Sequence, residues 1–178
     1  MKLLHPDSGA LLSRELELTD PLQPYQRILV ADDLSACSLG VLEHALMIAK
    51  GPRAQLLIAH VADVTKVIEL TYMPAEVYHQ WVKEIEETDR KQLQPIVEFA
   101  RKAGVEAEIL TLTGDVGEAI LEVARDKNVD LIVMGFHQHG KMAGVFSGSA
   151  ALYVLRRACC PVLLLPTPKH CPPPPIHA

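Results

Sequence analysis

The chain has 178 residues, 49% of them apolar and 4% aromatic, and carries a formal net charge of −5. That length supports one domain with a full hydrophobic core, and the composition is globular rather than disordered. Mild acidity gives no general attraction to nucleic acid or anionic lipid, and no apolar run is long enough to cross a bilayer, so neither partner is expected.

Residues 1–24 have no clean hydrophobic period and end in Asp20, Pro21 and Pro24, so they read as an N-terminal arm. Arg14, Glu15 and Glu17 break the apolar stretch that a signal peptide needs. The four cysteines show no CxxC or zinc spacing, and Cys159 and Cys160 are neighbours, which strains a bridge between them. Free thiols in a reducing cytoplasm are expected.

The first strand is predicted at Arg27–Ala31, a short apolar run. Ser35 stands where a helix N-cap belongs, before Leu39, Leu42, Leu46 and Ala49 at helical spacing, and Gly51-Pro52 ends that helix. A second strand follows at Leu56–Val61. A long helix is predicted over 75–103, carrying Val77, Trp81, Ile85, Ile96, Phe99 and Ala100, with a kink or split at Pro95. Its acidic stretch Glu84, Glu86, Glu87 and Asp89, followed by Arg90 and Lys91, reads as a solvated face.

Val105–Thr113 alternates as a third strand. Gly117–Lys127 is amphipathic, with Ile120, Leu121, Val123 and Ala124 on the inner side. The fourth strand is predicted at Asp130–Met134, then a glycine-rich stretch over 135–148, a helix over 149–158 and a fifth strand at Pro161–Leu165. The domain thus covers 25–166, and residues 167–178 form an extended tail with Pro168 and Pro172 to Pro175. Strands alternating with helices predict an α/β fold, an open five-stranded parallel sheet covered on both faces.

In such sheets ligands sit beyond the carboxyl ends of the strands, where strand order reverses. The richest loops are Asp32-Asp33-Leu34-Ser35 after strand one and the glycine-rich run after strand four. Gly148-Ser149 opens a helix, where unpaired backbone N–H groups and a hydroxyl can bind an anion; ordinary capping by Ser149 explains the same residues.

The segments Ile28–Ser35, Leu57–Val61, Asp130–His137, Gly148-Ser149 and Cys160–Leu165, in that order, resemble the universal stress proteins over nearly all of 25–166. The resemblance implies an adenine nucleotide alpha hydrolase-like sheet of order 3-2-1-4-5, an adenine nucleotide site for ATP or AMP, with or without Mg2+, and a homodimer through Val162, Leu163, Leu164 and Leu165. It places Asp32 and Asp33 at the adenosine end, the Val61 backbone at the adenine edge, and Met134 to His137 along the pocket wall. Gly135, Gly148 and Ser149 match the family's nucleotide motif, and Gln138 stands at its second glycine, with Gly140 two residues on. Ala31 and Ala150 complete the implied set. Asp32 replaces a usual apolar residue and Leu34 a usual glycine.

Gly135 to Lys141 also matches a P-loop through its lysine, but Met142 stands where Ser or Thr must hold magnesium. His137 and His139 are spaced i, i+2 without an evident third metal ligand, His60 reads as a satisfied core residue, and no Ser/His/Asp set can be assembled. No general base is identifiable, so slow ATP hydrolysis is the most that catalysis could amount to. Two functions therefore stand open: a nucleotide-binding regulator of the stress response, and a nucleotide-free dimeric interaction module of the same fold.

Overall fold

The structure, a computed structural model, describes residues 25–51, 53–62, 74–137 and 149–167. Its elements are β1 (Arg27–Ala31), α1 (Ser38–Lys50), β2 (Gln55–Ala62), α2 (Ala75–Lys102), β3 (Ala107–Thr113), α3 (Val116–Asp126), β4 (Leu131–His137), α4 (Ser149–Arg157) and β5 (Val162–Thr167). The strands form one five-stranded sheet of order β3-β2-β1-β4-β5, every pairing parallel. The predicted fold class and strand order are those observed.

The central strands are apolar on both sides because both sides are covered. Ile28, Val30, Leu56, Ile58, Leu131 and Val133 face α1 and α2, where Val41, Ala45, Leu93 and Val97 close over them. Leu29, Leu57, Ala59, Ile132 and Met134 face α3 and α4, against Ile120, Leu121 and Val154. Removing so many apolar side chains from water is the main stabilising term.

Several boundaries differ from the sequence reading for local reasons. Ser35 is not the N-cap of α1; Cys37 holds that position, and the Ser35 carbonyl instead accepts from the Ser38 N–H (3.1 Å) and hydroxyl (2.9 Å). Asp115 caps α3, its carboxylate accepting from the Glu118 N–H at 3.0 Å. β4 continues past Met134 to His137, and β5 continues through Pro166 to Thr167. A proline is tolerated there because, among the described residues, β5 is an edge strand that pairs with β4.

Pro95 does not split α2, which runs unbroken over 28 residues. Leu93, Val97 and Ala100 hold the segment around it against the core. Val77 and Phe99, on the same helix, are 51% and 59% exposed. Asp89 is a further correction: it is 1% exposed, so the acidic stretch is not uniformly solvated. Ile85, Asp89, Leu93 and Val97 recur every four residues, which puts the carboxylate on the buried stripe. Cys159 and Cys160 are free thiols as expected, whereas Cys37 is disulfide-bonded, against the expectation of free thiols throughout.

Candidate functional site

β1 and β4 are neighbours, so their carboxyl ends open side by side. Ala31 pairs with Met134 across this boundary and with Ala59 on the other side. β1 goes on to β2 and β3 in one direction, β4 to β5 in the other, which makes this the reversal point of the sheet.

The turn after β1 is fixed by its own aspartates. The Asp32 N–H donates to the Ala59 carbonyl (2.8 Å), prolonging the β1–β2 ladder by one residue. The Asp32 carboxylate accepts from the Leu34 N–H (2.6 Å) and the Asp33 carboxylate from the Ser35 N–H (3.0 Å). Two consecutive Asx turns shape the loop. They carry Leu34 at a φ of 58°, a left-handed conformation that costs a branched side chain strain and glycine nothing.

The two aspartates differ in environment. Asp33 is exposed, whereas Asp32 is 5% exposed. Asp32 Oδ2 and the Ser35 hydroxyl oxygen are buried without a hydrogen-bond partner. Burial pushes the Asp32 carboxyl above its usual range; the Leu34 N–H pulls the other way, and nearby Asp33 adds to the rise.

His60, in β2, braces this turn. Its Nδ1 lies 2.8 Å from the Asp32 carbonyl, which can only accept, so Nδ1 carries a proton and donates. Its Nε2 lies 3.6 Å from Asp89 Oδ2 on α2. Val61, the next residue, is 9% exposed and in register with Leu112.

On the β4 side Met134 is 4% exposed. Gly135 and His137 lie opposite Leu165 and Thr167 of β5. Thr167 donates its hydroxyl to the Phe136 carbonyl at 3.0 Å. A Cβ on Gly135 would meet Thr167 Cγ2 at 2.9 Å and Val41 Cγ2 at 3.2 Å, so glycine there answers to close packing. Because Gly135, Phe136 and His137 belong to a strand, the run that mimics a P-loop does not begin as a loop. Gln138, His139, Gly140 and Gly148 lie outside the described residues; α4 begins at Ser149, with Ala150 half-buried behind it.

The structure thus brings Ala31, Asp32, Asp33, Met134 and Gly135 to one end of the sheet. The His60–Asp89 brace was not legible as part of a site; the four-residue spacing around Asp89 was its only signal. Among the described residues no three His, Cys, Asp or Glu side chains are placed to hold a metal ion.

Comparison with known proteins agrees with this architecture. The model described as "Universal stress protein family" matches residues 24–166. A universal stress protein of Methanocaldococcus jannaschii is 33% identical over 146 residues, 82% of this chain and 84% of the relative. The solved structure of another universal stress protein from that organism superimposes with a TM-score of 0.70 at 21% identity, covering 83% of this chain and 99% of that one. A universal stress protein solved in complex with cAMP superimposes with a TM-score of 0.61 at 26% identity, covering 80% of this chain and 97% of that one. The sheet order and these neighbours are those of the adenine nucleotide alpha hydrolase-like fold.

Proposed function

Because the chain belongs to the universal stress protein family, we propose that it binds an adenine nucleotide, ATP or AMP, in the crevice between the β1 and β4 ends and acts as a cytoplasmic regulator of the stress response. The observation that carries this reading is the adjacency of Ala31 and Met134 at the reversal point of the sheet. Asp33, the exposed carboxylate of the β1 turn, is the group to accept from ribose hydroxyls or the adenine amino group. The helix start at Ser149 supplies unpaired N–H groups for phosphate. With ATP bound, Mg2+ accompanies the phosphates rather than occupying a protein site. A relative's complex with cAMP supports the ligand class.

The regulator acts as a homodimer through Val162, Leu163, Leu164 and Leu165. Support comes from β5 being an edge strand with half-buried apolar side chains. The competing reading, a nucleotide-free dimeric module, draws on the β1 turn: Asp32 turns its carboxylate inward, and a leucine takes the left-handed position.

Native mass spectrometry of freshly purified protein tests both features at once. The expected spectrum is a dimer carrying AMP or ATP. A dimer that stays bare after incubation with either nucleotide selects the interaction module. In the same experiment Gln138→Gly should retain ATP more strongly relative to AMP, since removing that side chain makes room for the outer phosphates.

A further inference from the structure

At the opposite end of the sheet from the nucleotide crevice, α3, the turn after it, Ile132 of β4, the end of α4 and the α4–β5 turn line an open cavity of about 180 Å³. Leu121, Ala124, Val129 and Ile132 form its apolar floor, and Arg125, Arg157, Cys159 and Cys160 stand around it. Both arginines are exposed. Arg157 is held in place: its guanidinium lies 4.0 Å from the centre of the Tyr153 ring, and the Tyr153 hydroxyl donates to Glu118 Oε1 at 3.2 Å. Cationic rim, apolar floor and free thiols therefore meet at one opening.

We propose that Cys159 forms mixed disulfides with small anionic disulfides of the glutathione class, and that this cavity receives the transferred half. The two cysteines are not equivalent. Cys159 is exposed, whereas Cys160 is half-buried. Burial pushes the Cys160 thiol up, and the charges of Asp130 and Cys159 push the same way, so Cys160 is the weaker nucleophile of the two. Cys159 is thus the nucleophile. Arg125 and Arg157, both at the opening, gather an anionic reagent beside it.

In the exchange the Cys159 thiolate attacks one sulfur of the disulfide. A new S–S bond forms as the reagent's S–S bond breaks, and the departing thiolate takes up the proton that Cys159 released. The disulfide is the only co-reactant. The apolar floor then covers the carbon atoms of the bound half, and the guanidinium groups meet its carboxylates.

The proposal is independent of nucleotide binding and is tested on the full chain with three reagents: oxidised glutathione (anionic), bis(2-hydroxyethyl) disulfide (neutral) and cystamine (cationic). Each rate, followed by intact mass, is divided by that of a cysteine peptide of neutral charge. Peptide mapping should find Cys159 modified first. Oxidised glutathione should react about tenfold faster than cystamine on this scale, within the range of electrostatic enrichment. One molar salt, where the screening length is about 3 Å, should remove the preference in the parent protein. The double variant Arg125→Ala/Arg157→Ala should remove it at low salt. First modification at Cys160, equal scaled rates for the three reagents, or a preference that survives both salt and the double variant would overturn the proposal.

Discussion

His60 Nε2 lies 3.6 Å from Asp89 Oδ2, and this contact ties the sheet to the middle of α2 in a place closed to water. With Nδ1 committed as donor to the Asp32 carbonyl, Nε2 attracts the carboxylate only when it too carries a proton. Asp89, on a helix remote from the crevice, thereby helps fix the turn that carries Asp33.

Removing Asp89 leaves His60 Nε2 facing a buried gap, although Nδ1 keeps the Asp32 carbonyl. Asp89→Ala should destabilise the fold by about 3 kcal/mol, within the range for broken buried pairs. Asp89→Asn, which keeps an acceptor near Nε2, should cost less. Urea unfolding of both variants checks this, and equal losses would show that the cavity rather than the pair sets the cost.

Asp32 predicts a pH dependence whose sign can be worked out. Its carboxyl is raised by burial above 3.8, so in the window just above that value the folded state binds the proton more tightly than the unfolded state. Asp32 is therefore a liability that grows as pH rises through that window and vanishes below it. Asp32→Asn keeps the acceptor for the Leu34 N–H and removes the buried charge. It should stabilise the protein at pH 7 by about 1 kcal/mol and lose that advantage toward pH 4. Thermal unfolding across pH decides it; an advantage that grew on acidification would contradict the assignment.

Gly135 packs between Thr167 and Val41 with no room for a methyl group. Gly135→Ala should cost about 1–3 kcal/mol, the usual penalty for overpacking. Thr167→Ser removes the nearer obstacle and keeps the hydroxyl that bonds the Phe136 carbonyl, so the double variant should recover part of the loss. Chemical denaturation of the single and double variants provides the measurement.

How much of this was legible beforehand follows from which interactions are local. Arg27–Ala31 and the start of α2 at Ala75 were readable because a hydrophobic period or its absence lies in adjacent residues. The strand order came from resemblance, since periodicity does not say which parallel strands are neighbours. Asp89 was misread because a run of like residues looks solvated until the four-residue spacing to Ile85 and Leu93 is counted. The extensions of β4 to His137 and β5 to Thr167 depend on each other: Pro166 and Thr167 are in strand only because Phe136 and His137 lie opposite. Asp32, expected at the ligand, follows β1 at the crevice end with its side chain buried, which a run of two aspartates does not announce.

The central claim is that the crevice between β1 and β4 takes an adenine nucleotide with its phosphates at the start of α4. Isothermal titration of AMP and ATP into the parent protein and into Gly148→Asp tests it most directly. The substitution sets a carboxylate beside the helix start that phosphate would use, and a helix end tolerates it, so thermal unfolding should stay near that of the parent. The account predicts saturable binding in the parent and none in the variant. Absence of binding heat from either nucleotide with the parent protein, or undiminished binding in a folded Gly148→Asp, would contradict it.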